Sequence, residues 1–359
     1  MRRVASVVML AVLGCVGCSS EGGSDPNAGG GGSAGSSAGA GGVPMTAGSG
    51  GSPSTAGAGA GGAPVAGSGG TVASGGQAGG QGGQGGTPVV GGDGGAHVAS
   101  WVPPYRVQEA KQQLAADFGG IGMADGLSFL ALQFWLANGS TTTLDPTVSE
   151  EDVAWFRDWA HQHGVKILLC IHNNTGDWNW PQAVGVFRDN RDAFVSHVLS
   201  EVAARDFDGV DVDFEGIVDA TADEAEAYRL FIEALSNGLH PQGKVLTVDS
   251  FHGMWNAPNW NWWPDLLPLV DGITSMGYEQ SGLDLDYQTL VDHAAAAPEK
   301  LMIGVPGYQG TWQNHTVTEH LDWIIQQGQV GTAIWDASLT AAEWQQSSVW
   351  QQLKTIKQR

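Results

Sequence analysis

Hydrophobic and polar positions follow two alternating patterns from residue 97 to residue 359. One is a short, nearly continuous apolar run, which suits a strand covered on both faces. The other is an apolar stripe at helical spacing. The runs predict strands over His97–Trp101, Leu127–Leu136, Val165–Ile171, Phe207–Glu215, Lys244–Ser250, Gly272–Tyr278, Leu301–Pro306 and Thr332–Trp335. Helices are predicted over Gln108–Asp117, Glu150–His163, Phe194–Arg205, Thr221–Leu239, Tyr287–Ala296, Thr316–Gln327 and Ala341–Ile356. A shorter one over Trp263–Leu269 is broken by Pro264 and Pro268. Val153, Trp155, Phe156 and Trp159 form the stripe of the second helix. Thr221, with Glu224 three residues on, predicts a capping box. Eight strand-then-helix units predict an α/β fold, a (β/α)8 TIM barrel, with its functional groups at the C-terminal ends of the strands.

The fourth run is not purely apolar. Phe207-Asp208-Gly209-Val210-Asp211-Val212-Asp213-Phe214-Glu215-Gly216 carries four carboxylates. Side chains alternate along a strand, so Asp211, Asp213 and Glu215 share one face and Val210, Val212 and Phe214 the other. Carboxylates this close repel, and one or more is expected to hold a proton. An un-ionised acid beside an ionised one is equipment for cleaving an acetal. A solvated acidic strand edge and a divalent-cation site are the other uses of such a run. The interleaved Val and Phe residues speak against the first, and the absence of a nearby His-x-His or similar ligand set against the second.

Asp208-x-x-Asp211-x-Asp213-x-Glu215 resembles the DxxDxDxE signature of glycoside hydrolase family 18, the chitinases and endo-β-N-acetylglucosaminidases, at all four positions. The resemblance implies a TIM barrel with the signature on its fourth strand. It also implies retaining, substrate-assisted cleavage of β-1,4-linked N-acetylglucosamine glycans, with no cofactor and no metal. Glu215 would then be the general acid and later the base. Asp213 would hold the acetamido N–H and stabilise the oxazolinium intermediate, and Asp211 would share a proton with Asp213. Asp208 breaks the period-2 register and is read as bracing the strand's start. Met276-Gly277-Tyr278-Glu279 resembles the family's Met-x-Tyr-Asp segment. This implies a Tyr278 hydroxyl donated to the acetamido carbonyl, Met276 lining the pocket, and Glu279 replacing Asp at a plus-side contact. Trp335 matches the tryptophan that floors the cleaved sugar, where sugar C–H faces stack on indole.

Gln133 and Trp135, ending the second run, are expected at the pocket mouth. The third run departs from the family: many members have Ser-x-Gly-Gly, whereas this chain has Cys170-Ile171-His172-Asn173. Asn173 and Asn174 are candidates for sugar hydroxyls or for a turn, and His172 for a structural strand end. The departure leaves room for an endo-β-N-acetylglucosaminidase on N-glycans or on peptidoglycan-derived glycans. A non-hydrolytic sugar-binding protein on the same barrel is the alternative of another class; the presence of Glu215 favours the enzyme.

All 15 Trp lie in 97–359. Trp178, Trp180, Trp255, Trp260, Trp262, Trp263 and Trp312 fall in predicted loops after the third, fifth and seventh strands. They are read as sugar-stacking platforms, Trp178 and Trp255 foremost, or as a loop core. The net charge of −22 belongs almost wholly to this domain and disfavours nucleic acid and anionic lipid as ligands. Only Cys170 lies in the domain, so it has no internal disulfide.

Residues 1–18 resemble a lipoprotein-type signal peptide: Arg2 and Arg3, an apolar run Val4–Leu13, then Cys15 and Cys18 as lipidation candidates. An ordinary secretory signal is the alternative. Residues 19–96 are a low-complexity Gly/Ser/Ala linker, with a reach on the order of 50 Å. The expectation is an exported cell-envelope lipoprotein at the outer membrane or cell surface, or a secreted one. It would be a monomer whose only membrane contact is its lipid anchor.

Overall fold

The computed structural model describes residues 96–254, 256–283 and 285–359. The expected signal peptide, with Cys15 and Cys18, and the expected linker through residue 95 lie outside them. Eight parallel strands form the sheet: β1 (Val98–Val102), β2 (Phe129–Asn138), β3 (Lys166–His172), β4 (Gly209–Asp213), β5 (Val245–Ser250), β6 (Gly272–Ser275), β7 (Leu301–Pro306) and β8 (Gly331–Trp335). Each pairs with the next, and β1 pairs with both β2 and β8, which closes the barrel. The following helices are α1 (Val107–Leu114), α2 (Glu150–His163), α3 (Arg191–Ala204), α4 (Ala222–Leu239), α5 (Trp263–Leu266), α6 (Leu285–His293), α7 (Val317–Gln327) and α8 (Ser347–Lys357).

Strand periodicity sorts the side chains into two layers. Val210, Val212 and Phe214 face outward with Leu246, Val248, Ile303 and Ile334 into the core between sheet and helices. Ala99, Trp101, Phe129, Ala131, Leu168, Cys170, Val245, Met302 and Ala333 form a separate apolar plug inside the barrel. Each fully buried large apolar side chain contributes roughly 1.5–3 kcal/mol, and this offsets the cost of the acids held above the plug. The capping box at α4 is present: the Thr221 hydroxyl accepts the Glu224 N–H at 3.2 Å, and the Glu224 carboxylate accepts the Thr221 N–H at 2.8 Å.

Two segments differ from expectation. β2 runs on to Asn138 because Thr143–Pro146 folds back on it as a short antiparallel strand. The pairing of β2 with β3 shifts register between Leu132 and Trp135. That shift turns Trp135 into the outer core, 1% exposed and edge-on to Phe207 at 5.5 Å, so it is not at the mouth. β6 ends at Ser275, and Met276 to Glu279 form the loop after it.

Candidate active site

The acids of the fourth strand occupy both ends of the barrel. Asp208 lies at the N-terminal end, where its carboxylate accepts the Ile167 N–H at 2.9 Å and meets His161 Nε2 at 3.2 Å. It ties β3 to the start of β4 and lies remote from the other three. Asp211 sits immediately above the apolar plug, 1% exposed. Its Oδ2 accepts Trp101 Nε1–H at 2.8 Å and its Oδ1 accepts the Thr247 hydroxyl at 2.5 Å. Asp213, 2% exposed, is one step nearer the mouth. Gln133 Nε2 donates to its Oδ2 at 2.6 Å. Its Oδ1 faces the Glu215 carboxyl without a well-formed hydrogen bond.

Glu215 lies two residues beyond the end of β4, where no ladder holds the backbone. Asn173 replaces the ladder. Its Nδ2 donates to the Glu215 carbonyl at 2.8 Å and its Oδ1 accepts the Glu215 N–H at 2.9 Å. Gly216 then pairs with Ala257 in both directions, at 2.8 and 2.9 Å. A Cβ on Gly216 would come within 2.8 Å of the Trp180 ring. The acid is thus fixed from both sides. Asn173, a candidate for a sugar hydroxyl or for a turn, is fully buried with both ends of its amide engaged, so it is a positioning residue instead.

A fourth acid completes the interior. Asp249 on β5, 2% exposed, has an Oδ1 with no partner. Sequence reasoning passed over it, yet Leu246-Thr247-Val248-Asp249 alternates apolar and polar, and that alternation was the available signal. Thr247 and Trp101, which hold Asp211, were passed over in the same way.

No Lys, Arg or His forms an ion pair with any of these four acids among the described residues. Burial is the main cause that raises all four. Asp213 is pushed up to about 7, by burial and then by the Asp211 charge, against the Gln133 hydrogen bond. Glu215 goes well above the usual carboxylate range, by burial and then by the charge of Asp213. The set therefore holds its protons to higher pH than free carboxyls do and titrates as a coupled group.

An unfolded Asp213 releases its proton near 3.8, whereas the folded one keeps it to about 7. The folded state binds more protons across that window, so its advantage is full below it and is lost as pH rises through it. Denaturant midpoints measured from pH 4.5 to 8 should fall with pH. Asp213→Asn should flatten part of that slope.

Tyr278 and Trp335 stand over the acids. Their ring centroids are 6.3 Å apart, and Trp335 is 6.1 Å from Trp101 beneath it. The Tyr278 hydroxyl is raised well above its usual value by burial and by the charges of Asp249, Asp213 and Glu215. Gly304 on β7 makes room for the Tyr278 ring: a Cβ there would lie 3.0 Å from it. Met276, half-buried, follows β6 with its N–H on the Ser250 carbonyl. Glu279, also half-buried, is in the same loop, whose backbone carbonyl at 279 accepts Gln313 Nε2–H at 2.8 Å.

The loop tryptophans divide. Trp180 packs on Phe187 and Trp262, Trp260 stacks on His293 at 4.4 Å, and Trp312 stacks on His320 at 3.8 Å. Trp263 is fully buried and donates to Ser250. These five are loop core, not stacking platforms. Trp178 is half-buried beside the bridge to Asn174. Trp255 lies outside the described residues. Among the described residues no group of three or more His, Cys, Asp or Glu is arranged to hold a metal ion, and no helix is long and apolar enough to cross a membrane.

No curated protein matched the chain. Solved structures did. The spore cortex-lytic enzyme SleL of Bacillus cereus is 14% identical at a TM-score of 0.57, over 73% of this chain and 74% of its own. A class V chitinase of Pseudomonas fluorescens is 14% identical at 0.58, over 74% and 100%. A chitinase of Chromobacterium violaceum is 13% identical at 0.55, over 72% and 98%. At such identities these likenesses establish the barrel. The model described as Glycosyl hydrolases family 18 matches residues 104–356. By that match, which covers the barrel from β2 to β8 with its acidic fourth strand, the chain belongs to glycosyl hydrolase family 18 and is a chitinase-like glycosidase.

Proposed function

We propose that the enzyme cleaves β-1,4 links that follow an N-acetylglucosamine unit, with retention, through attack by the substrate's own acetamido oxygen. The observation that carries this reading is the pairing of Glu215 and Asp213. The first is a carboxyl that burial and the Asp213 charge push well above the usual carboxylate range, and the second faces it from the strand end with an oxygen left without a well-formed bond. Glu215 protonates the departing glycosidic oxygen. Asp213, supported by Gln133, receives the acetamido N–H and balances the positive oxazolinium charge. Tyr278 supplies its hydroxyl to the acetamido carbonyl, and Trp335 floors the sugar.

The rim supports a polymeric substrate. Tyr105, Ile217, Val218, Met254, Leu285 and Tyr308 are the exposed large apolar side chains among the described residues, and each follows a barrel strand on the catalytic side. Chitin oligomers are the substrate we favour. The N-glycan core and peptidoglycan-derived glycans share the required N-acetylglucosamine unit.

A screen of chitin oligomers, high-mannose glycopeptides and peptidoglycan fragments decides among them, with a thiazoline mimic of the bicyclic intermediate added in parallel. Turnover of at least one class, blocked by the thiazoline, is expected. Turnover that the thiazoline leaves untouched would rule out the intermediate. For export, the reading is an envelope lipoprotein acylated at Cys15 or Cys18. Fatty-acid labelling in the producing cell should be lost in one of the two Cys→Ser variants.

A further inference from the structure

One buried polar group beside Asp213 is unused by the chemistry above. Alternation along β3 puts Leu168 and Cys170 inside the barrel, and His172 follows on the same face as the register partner of Asp213. Its side chain is 6% exposed. Nδ1 accepts the Asn174 N–H at 3.3 Å, so the neutral ring carries its proton on Nε2. Burial lowers the ring's pKa to about 4, and the neutral form prevails at working pH. Nε2–H has no acceptor among the described residues. A buried donor without a partner is unfavourable until an acceptor arrives.

We propose that His172 is a specificity-determining residue whose Nε2–H donates to a free hydroxyl oxygen of the N-acetylglucosaminyl unit held over Asp213. A neutral N–H suits a hydroxyl oxygen. The acetamido carbonyl of that unit is already assigned to Tyr278, and the Asp213 oxygens are committed to Gln133 and the acetamido N–H. Where many members of the family have Ser-x-Gly-Gly, this chain has Cys170-Ile171-His172-Asn173, which puts a side-chain donor at this place. The inference rests on the reading of the site given above.

The test uses a fluorogenic chitobioside and two analogues deoxygenated at C3 or C6 of the reacting sugar, with wild type, His172→Leu and His172→Gln. His172→Leu removes the donor and fills the space. It should lower kcat/KM on the parent roughly tenfold, mainly through KM, with an unfolding midpoint no lower than wild type. On one of the two analogues it should cause no further loss. His172→Gln, whose amide nitrogen reaches the Nε2 position, should recover most of the parent rate. If the Leu variant does not fold, Gln is compared with Asn, which falls short of that position; Gln should exceed Asn. Unchanged kcat/KM in His172→Leu, equal loss on all three substrates, or equal rates for Gln and Asn would overturn the inference alone. A wild-type enzyme inert on the parent chitobioside would overturn the chitin-oligomer reading of the site as well.

Discussion

Glu215→Gln is expected to lower kcat by roughly 10²–10⁴-fold while leaving oligosaccharide affinity within about threefold of wild type. The substitution removes a transferable proton and little else. Gln has the shape of the acid, and Asn173 grips the backbone of residue 215 rather than its side chain. The geometry around Asp213 should therefore persist. Folding should not suffer either, because a neutral amide replaces a carboxyl that burial and the neighbouring Asp213 both disfavour as an ion. Steady-state rates and calorimetric binding of a chitin oligomer separate the two effects. A variant with full turnover would remove Glu215 from the chemistry, and a variant without binding would make its role structural.

Asp213→Asn should cost roughly 10²–10³ in kcat, the scale of losing one preorganised electrostatic partner of a transition state. An amide can still meet Gln133 and the acetamido group, but it cannot balance the developing oxazolinium charge. The pH profile gives a second readout with a definite sign. The charge of Asp213 is one of the causes that raise Glu215, after burial. Removing it lowers the Glu215 pKa, so activity on the alkaline side should be lost at lower pH than in wild type. An unshifted alkaline limb in Asp213→Asn would show that the two carboxyls do not interact during catalysis.

Much of this arrangement is legible in the sequence, and the illegible part has identifiable causes. Element type was clear wherever a run was long: α2 spans Glu150–His163 and β7 spans Leu301–Pro306, as hydrophobic periodicity predicts. The acidic strand declared its inward face through period 2 alone. Trp135 escaped because one register shift in β2 reverses the facing of everything after it, and a shift leaves no mark in the hydrophobic pattern. Asn173 looked like a sugar ligand because a polar residue at a strand end is ambiguous until its partner is known. That partner lies 42 positions away. Asp249 escaped because a single acid in a strand draws less notice than three in a row. The loop tryptophans looked like platforms because composition counts indoles without saying what they rest on, and here five rest on one another, on histidines or in the core.

In the proposed mechanism Glu215 donates its proton while the sugar's acetamido oxygen, steered by Asp213, attacks the anomeric carbon. The measurement that reaches it most directly compares kcat/KM on chito-oligosaccharides and cello-oligosaccharides of equal length, which differ only in the 2-acetamido group. Turnover of the first and none detectable of the second is expected. Comparable rates on both would contradict the mechanism.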